Sequence, residues 1–146
     1  MLDDIVTAQG VATIGLYWPI KREINLMPWA STHEGQGKSS LCLPVLVTPK
    51  TPPEYWRWIP GDNVVLPGLV LASAVGFDQA GYWLGEGGGD FDRTFGSLSL
   101  RPVVIGIDHD FSALTTSFLQ PHDVPIDAVP TTHRDMLPSD WRTHAF

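Results

Sequence analysis

Apolar positions along the chain fall into short continuous runs rather than long alternating or heptad stretches. Val11 to Trp18, Leu41 to Val47, Leu69 to Val75 and Val103 to Ile107 are each bounded by proline, glycine or charged residues. Runs of this length predict strands buried on both faces, the signature of a parallel sheet. Tyr55-Trp56-Arg57-Trp58-Ile59 alternates instead and predicts a strand with one packed face. Between the runs lie short helical stretches. Leu2 to Gln9 predicts the end of a helix stopped by Gly10. Asn25 caps a second, running to about Gly35 with Pro28 in its first turn and Gly35-Gln36-Gly37 breaking it. His33 reads as a surface residue of that helix. Strands alternating with short helices predict one α/β domain with a mainly parallel sheet over residues 1–135, followed by a loose tail over 136–146.

One stretch interrupts this regularity. The Leu69–Val75 run leads through Gly76-Phe77-Asp78 into Gly85-Glu86-Gly87-Gly88-Gly89, and then Asp90-Phe91-Asp92-Arg93 can open a helix. Strand, glycine loop and helix start let backbone N–H groups converge on an anion, usually phosphate. The plainer alternative is a glycine-rich hairpin or surface loop. At the carboxyl end of the first strand stand Trp18 and, past Lys21-Arg22, Glu23. Ligands in open α/β sheets bind at such ends. A rim aromatic and a solvated turn carboxylate are the corresponding structural readings.

Composition narrows the function. The 146 residues hold 16 acids against 9 lysines and arginines, a formal net charge of −7, which argues against a nucleic-acid surface. No apolar run is long enough to span a bilayer. The acidic start, Met1-Leu2-Asp3-Asp4, lacks the basic segment of a signal peptide, so the cytoplasm is the default compartment. The single cysteine, Cys42, lies inside an apolar run and reads as a buried thiol. Asp108, His109, Asp110, His122 and Asp123 are residue types that suit a divalent cation, though at no recognised spacing.

Four blocks in fixed order resemble the 5-formyltetrahydrofolate cyclo-ligase (5,10-methenyltetrahydrofolate synthetase) family. They are Ile14-Gly15-Leu16-Tyr17-Trp18-Pro19-Ile20 with Glu23; Leu41-Cys42-Leu43-Pro44-Val45; the glycine block from Val75 to Arg93; and Pro121-His122-Asp123-Val124 with Asp127-Ala128. The resemblance implies a three-layer sheet like that of ribose-phosphate isomerase and CoA-transferase relatives, here lacking the family's N-terminal helix and a mid-chain connection. It implies ATP- and Mg²⁺-dependent conversion of 5-formyltetrahydrofolate to 5,10-methenyltetrahydrofolate. In that reaction the formyl oxygen attacks the γ-phosphate, the ring closes and phosphate leaves. By the same resemblance Leu84, Gly85, Glu86, Gly87, Gly88, Gly89, Asp90, Phe91 and Arg93 form the ATP loop. Asp92 and Asp123 hold Mg²⁺, and Trp18 and Glu23 touch the folate.

The block departs from the family at three positions. Trp83 stands where arginine is usual, Glu86 where tyrosine or arginine is common, and Asp90 where the first of two aromatics belongs. A carboxylate ~4 Å from a phosphate oxygen costs on the order of 4 kcal/mol at an effective dielectric of ~20. A helix dipole returns only ~0.3–1 kcal/mol. These departures predict weak ATP binding unless Mg²⁺ bridges the acids. The alternative function is therefore a non-catalytic family member that binds a pterin or nucleotide at most. With one helix and one connection missing, one sheet face is expected to be bare, which predicts a homodimer.

Overall fold

A computed structural model describes residues 2–45, 54–57, 64–74, 76–77, 82–84, 100–107 and 126–127. Helix α1 spans Leu2–Gln9, with Asp3 and Asp4 in its first turn, where acids meet the positive end of the helix dipole. Gly10 ends it in the left-handed region, φ +59°, and donates its N–H to the Thr7 carbonyl at 3.1 Å. Strand β1 covers Thr13–Gly15, shorter than the apolar run that announces it. The run continues past the ladder because Leu16 and Tyr17 are buried beyond its end.

Helix α2 covers Met27–Gly35 with Pro28 in its first turn. Asn25 does act at its start: its Oδ1 accepts the Met27 N–H at 3.0 Å, although Leu26 occupies the cap position proper. Gly37, at φ +65°, turns the chain out of the helix. Strands β2 (Ser40–Val45), β3 (Glu54–Arg57), β4 (Leu69–Ser73) and β7 (Val103–Ile107) complete the main sheet. Two-residue strands β5 (Gly76–Phe77) and β6 (Trp83–Leu84) pair antiparallel as a separate hairpin.

The sheet order is β3-β2-β1-β4-β7. The β2–β1, β1–β4 and β4–β7 pairs are parallel and only the β3 edge is antiparallel. The mainly parallel sheet expected from the buried runs is therefore present. Strand parity divides the core. Ile14, Leu16, Leu41, Leu69, Leu71, Ile105 and Ile107 face α1 and α2, meeting Val6, Leu26 and Ala30. Cys42, Val70, Ala72 and Val104 point the other way, where Tyr55 and Ile126 pack on them.

Two expectations need correcting. His33 is not a surface residue; it is 1% exposed. Its ring stacks on Trp29 with centroids 4.8 Å apart, and its Nδ1 lies 3.3 Å from Asp3 Oδ1, which also accepts the Trp29 Nε1–H at 2.8 Å. Asp3 thus ties α1 to α2. Nor is a sheet face bare among the described residues. Cys42, Tyr55, Val70, Ala72 and Val104 on the second face are as buried as the helix-covered side, so the sheet supplies no open apolar face to argue for a homodimer.

Candidate functional site

The order of strands marks a candidate position for a site. From β1 the chain moves outward through β2 to β3, then returns to the opposite side of β1 with β4 and continues to β7. The direction of winding reverses between β1 and β4. Their parallel pairing, Ile14 with Leu69 and Gly15 with Val70, sends both carboxyl ends to one edge. Connections leaving such a pair diverge, and the crevice they leave open is the usual ligand site of an open α/β sheet.

What leaves β1 is the Trp18–Glu23 segment. Trp18 is 62% exposed at that edge. The chain then turns tightly. The Glu23 N–H reaches the Ile20 carbonyl at 3.0 Å, and the Ile20 N–H donates to Glu23 Oε2 at 2.8 Å. Lys21 sits in the turn at φ 51°, a left-handed conformation seldom taken by a residue with a side chain. The Tyr17 hydroxyl fastens the far side by donating to the Ile24 carbonyl at 2.7 Å. One oxygen of Glu23 is therefore committed to holding the turn that presents Trp18.

What leaves β4 is the β5–β6 hairpin, in which Gly76 pairs with Leu84 and Phe77 with Trp83. The hairpin delivers the chain to Gly85, the first residue of the glycine loop. Trp83 explains part of its own departure from the arginine expected there. It is half-buried and packs on the second-face cluster of Cys42, Tyr55, Val70, Ala72, Val104 and Ile126. The strand-to-loop passage anticipated from sequence thus contains a hairpin that two-residue strands do not announce. Residues 85–93, with the glycine loop, Asp92 and Arg93, lie outside the described residues, as do Asp108, His109, Asp110, His122 and Asp123. No group of three or more His, Cys, Asp or Glu side chains able to hold a metal occurs among the described residues.

Asp127, from the same block as Asp123, is among the described residues. Its backbone N–H and Oδ2 form a reciprocal pair with Val104, the N–H donating to the carbonyl and the carboxylate accepting from the amide, each at 2.7 Å. Its Oδ1 accepts from Arg101 at 3.0 Å. This fastens Asp127 along the outer edge of β7 and seats Ile126 on the second face.

Sequence reasoning passed over Tyr55. It rises from β3 and its ring reaches across to Gly15: a Cβ on that glycine would lie 2.8 Å from Tyr55 Cε1 and 3.1 Å from Val70 Cγ2. The hydroxyl is buried without a hydrogen-bond partner among the described residues. Burial, with a smaller contribution from nearby Cys42, pushes its pKa far above the usual tyrosine value. The signal in the sequence was the tyrosine of an alternating strand facing a glycine two strands away, which only the register reveals.

An open α/β domain whose winding reverses between β1 and β4 is the class that the fold defines. The 5-formyltetrahydrofolate cyclo-ligase family model matches residues 48–132, and the chain belongs to that family. It is 30% identical over 80 residues to a 5-formyltetrahydrofolate cyclo-ligase of Mycolicibacterium smegmatis. That alignment covers 55% of this chain but only 41% of the relative. Among solved structures, a 5,10-methenyltetrahydrofolate synthetase from Mycoplasma pneumoniae superposes with a TM-score of 0.75 at 24% identity, covering 88% of this chain and 77% of that one. The synthetase of Aquifex aeolicus gives the same TM-score at 22% identity, covering 95% and 78%. At these identities the two structures speak to the fold.

Proposed function

We propose that the β1–β4 crevice binds 5-formyltetrahydrofolate together with Mg²⁺-ATP and that the chain converts the folate to 5,10-methenyltetrahydrofolate. One observation carries the reading. The two sequence blocks that resemble the family's folate and nucleotide segments leave neighbouring parallel strands at the point where the winding reverses. In this reading Trp18 offers an exposed flat surface to a heterocycle. Glu23 shapes the turn with one oxygen and meets the folate with the other. The loop from Leu84 to Arg93 cradles the nucleotide. Asp92 and Asp123 are carboxylates of the kind Mg²⁺ takes alongside phosphate and water. When bound, the cation offsets the charge that Glu86, Asp90 and Asp92 bring to the loop.

The same electrostatics favour a second reading. With Trp83 committed to packing on the sheet in place of the expected arginine, the loop sets Glu86, Asp90 and Asp92 against Arg93 alone. A member that binds a pterin or nucleotide without turnover follows from that loss. Absorbance of methenyltetrahydrofolate, monitored with ATP, Mg²⁺ and 5-formyltetrahydrofolate, separates the two. Sustained formation supports the ligase, whereas binding of the folate by calorimetry without product supports the binder. Absence of product together with absence of both folate and nucleotide binding would refute both.

A further inference from the structure

We propose that Lys21 and Arg22 bind the two carboxylates of the folate's glutamate tail, so that the Trp18–Arg22 turn carries the aminobenzoyl-glutamate half of the ligand. This rests on the folate reading above and adds residues to it.

The chemistry of the turn runs in the same order as the chemistry of the ligand. 5-Formyltetrahydrofolate is a flat heterocycle, then an aryl ring, then a glutamate with two carboxylates. Trp18 is 62% exposed and Ile20 51%. The cations Lys21 and Arg22 follow at once, and both are exposed. Val45, exposed as well, ends β2 at the same edge. It lies three residues past Cys42, the partner of Gly15, as Trp18 lies three past Gly15. Aromatic, aliphatic and cationic side chains therefore follow one another on a surface open to solvent. Lys21 is separated from Trp18 by at most about 10 Å of backbone, and its flexible stem extends that reach. A heterocycle stacked on Trp18 leaves its tail within range of both cations.

Charge and conformation set these two residues apart. Against 16 acids the chain holds 9 lysines and arginines, and Lys21-Arg22 is its only adjacent pair of them. The other cations among the described residues stand away from the carboxyl edge. Lys38 precedes β2, Arg101 precedes β7, and Arg57 pairs with Cys42 within the sheet. Lys21 adopts φ 51°, which glycine would take without strain. Outliers of this kind gather at ligand sites, so a lysine kept there points to a use for its charge. The turn that bears it is held at both ends by the reciprocal bonds of Ile20 with Glu23, at 3.0 and 2.8 Å. Arg22 can take a carboxylate with two parallel N–H bonds, and Lys21 a second as a point charge. Each also interacts within the protein, so the ligand's carboxylates join or displace those contacts. The nucleotide's phosphates belong, in the same reading, to the glycine block that follows β4 rather than to the turn that follows β1.

The test is a cycle in the full chain. The double variant Lys21→Gln with Arg22→Gln and the unmodified protein are each titrated by calorimetry with 5-formyltetrahydrofolate and with its diamide, which keeps the tail's shape without its charges. The unmodified chain is expected to bind the acid about five- to tenfold more tightly than the diamide, the ratio shrinking as salt rises. The double variant is expected to bind both ligands alike, with Mg²⁺-ATP binding unchanged, because each change removes the same interaction. A ratio that survives the double substitution overturns the inference, and so does an unmodified chain indifferent to the amides. Both results leave the folate reading intact. Loss of Mg²⁺-ATP binding in the variant would assign the cations to phosphate and equally overturn it. Absence of folate binding by the unmodified chain overturns both readings. Lys21→Gly with Arg22→Gln removes the same charges while suiting the left-handed turn, and it supplies the measurement should the first variant not fold.

Discussion

Gly15 is where β1 and the Tyr55 ring of β3 pack most closely. With Tyr55 Cε1 2.8 Å from where its Cβ would be, Gly15→Ala forces a buried ring to shift against Val70. We expect a loss of about 1–3 kcal/mol in denaturant melts. The loss should shrink when Tyr55→Leu is also present, because the two side chains compete for one space. Asp3 gives a pH signature. The Trp29 N–H it accepts, followed by its interactions with His33 and Lys38, outweigh partial desolvation and hold its carboxyl below the ordinary 3.8. A depressed folded-state value stabilises the fold above the unfolded value, and that contribution disappears as pH falls through the folded one. Asp3 is 44% exposed, so solvent screens the effect. Melting temperature should therefore fall below about pH 4 more steeply in the unmodified chain than in Asp3→Asn, as thermal scans from neutral to acid would register. Neither residue was legible as such. Gly15 looked like one glycine in an apolar run. The Trp29–His33 spacing places both on one helix face, but nothing local announces that Asp3, 26 residues before Trp29, lies opposite.

At the scale of elements, continuous apolar runs read well. Val103–Ile107 is a strand over its whole predicted length, and Leu69–Val75 for all but its end, because both are buried on two faces and need no alternation. The helices were legible through their ends, Gly10 for α1 and Pro28 with Gly37 for α2. The β5–β6 hairpin was not, since two-residue strands carry no period. The direction of β3 was not either, because alternation is the same whichever way a strand runs. The glycines separate two physical roles. Gly10 has open space around its missing Cβ but a left-handed backbone, whereas Gly35 has open space and no such constraint. Gly10→Ala should cost about 1 kcal/mol, and Gly35→Ala should gain about 0.4–1 kcal/mol. Chemical denaturation of the pair checks the contrast; equal effects would show that α1 and α2 do not end as described.

For the whole molecule, the Trp18–Glu23 block and the glycine block were legible as motifs, but the adjacency of the strands that lead into them was not. Ile14 and Leu69 are 55 positions apart, and only the strand order makes them neighbours. Trp18 tests the location directly. At 62% exposure it contributes little to the core, so Trp18→Ala should leave stability within about 0.5 kcal/mol. It should still weaken 5-formyltetrahydrofolate binding at least tenfold by fluorescence or calorimetric titration. A collapse in melting temperature would instead make the indole a structural rim.

The return of β4 to the far side of β1 also has a consequence for biosynthesis. When the ribosome has released the chain only as far as Arg57, β1 can already pair with β2, and β2 with β3. The opposite flank of β1 stays open until Leu69–Ser73 emerges to close it. During that interval Ile14 and Gly15 offer an unpaired edge to any passing strand. Slow translation across residues 58–73 should therefore lower soluble yield, and fast translation there should raise it.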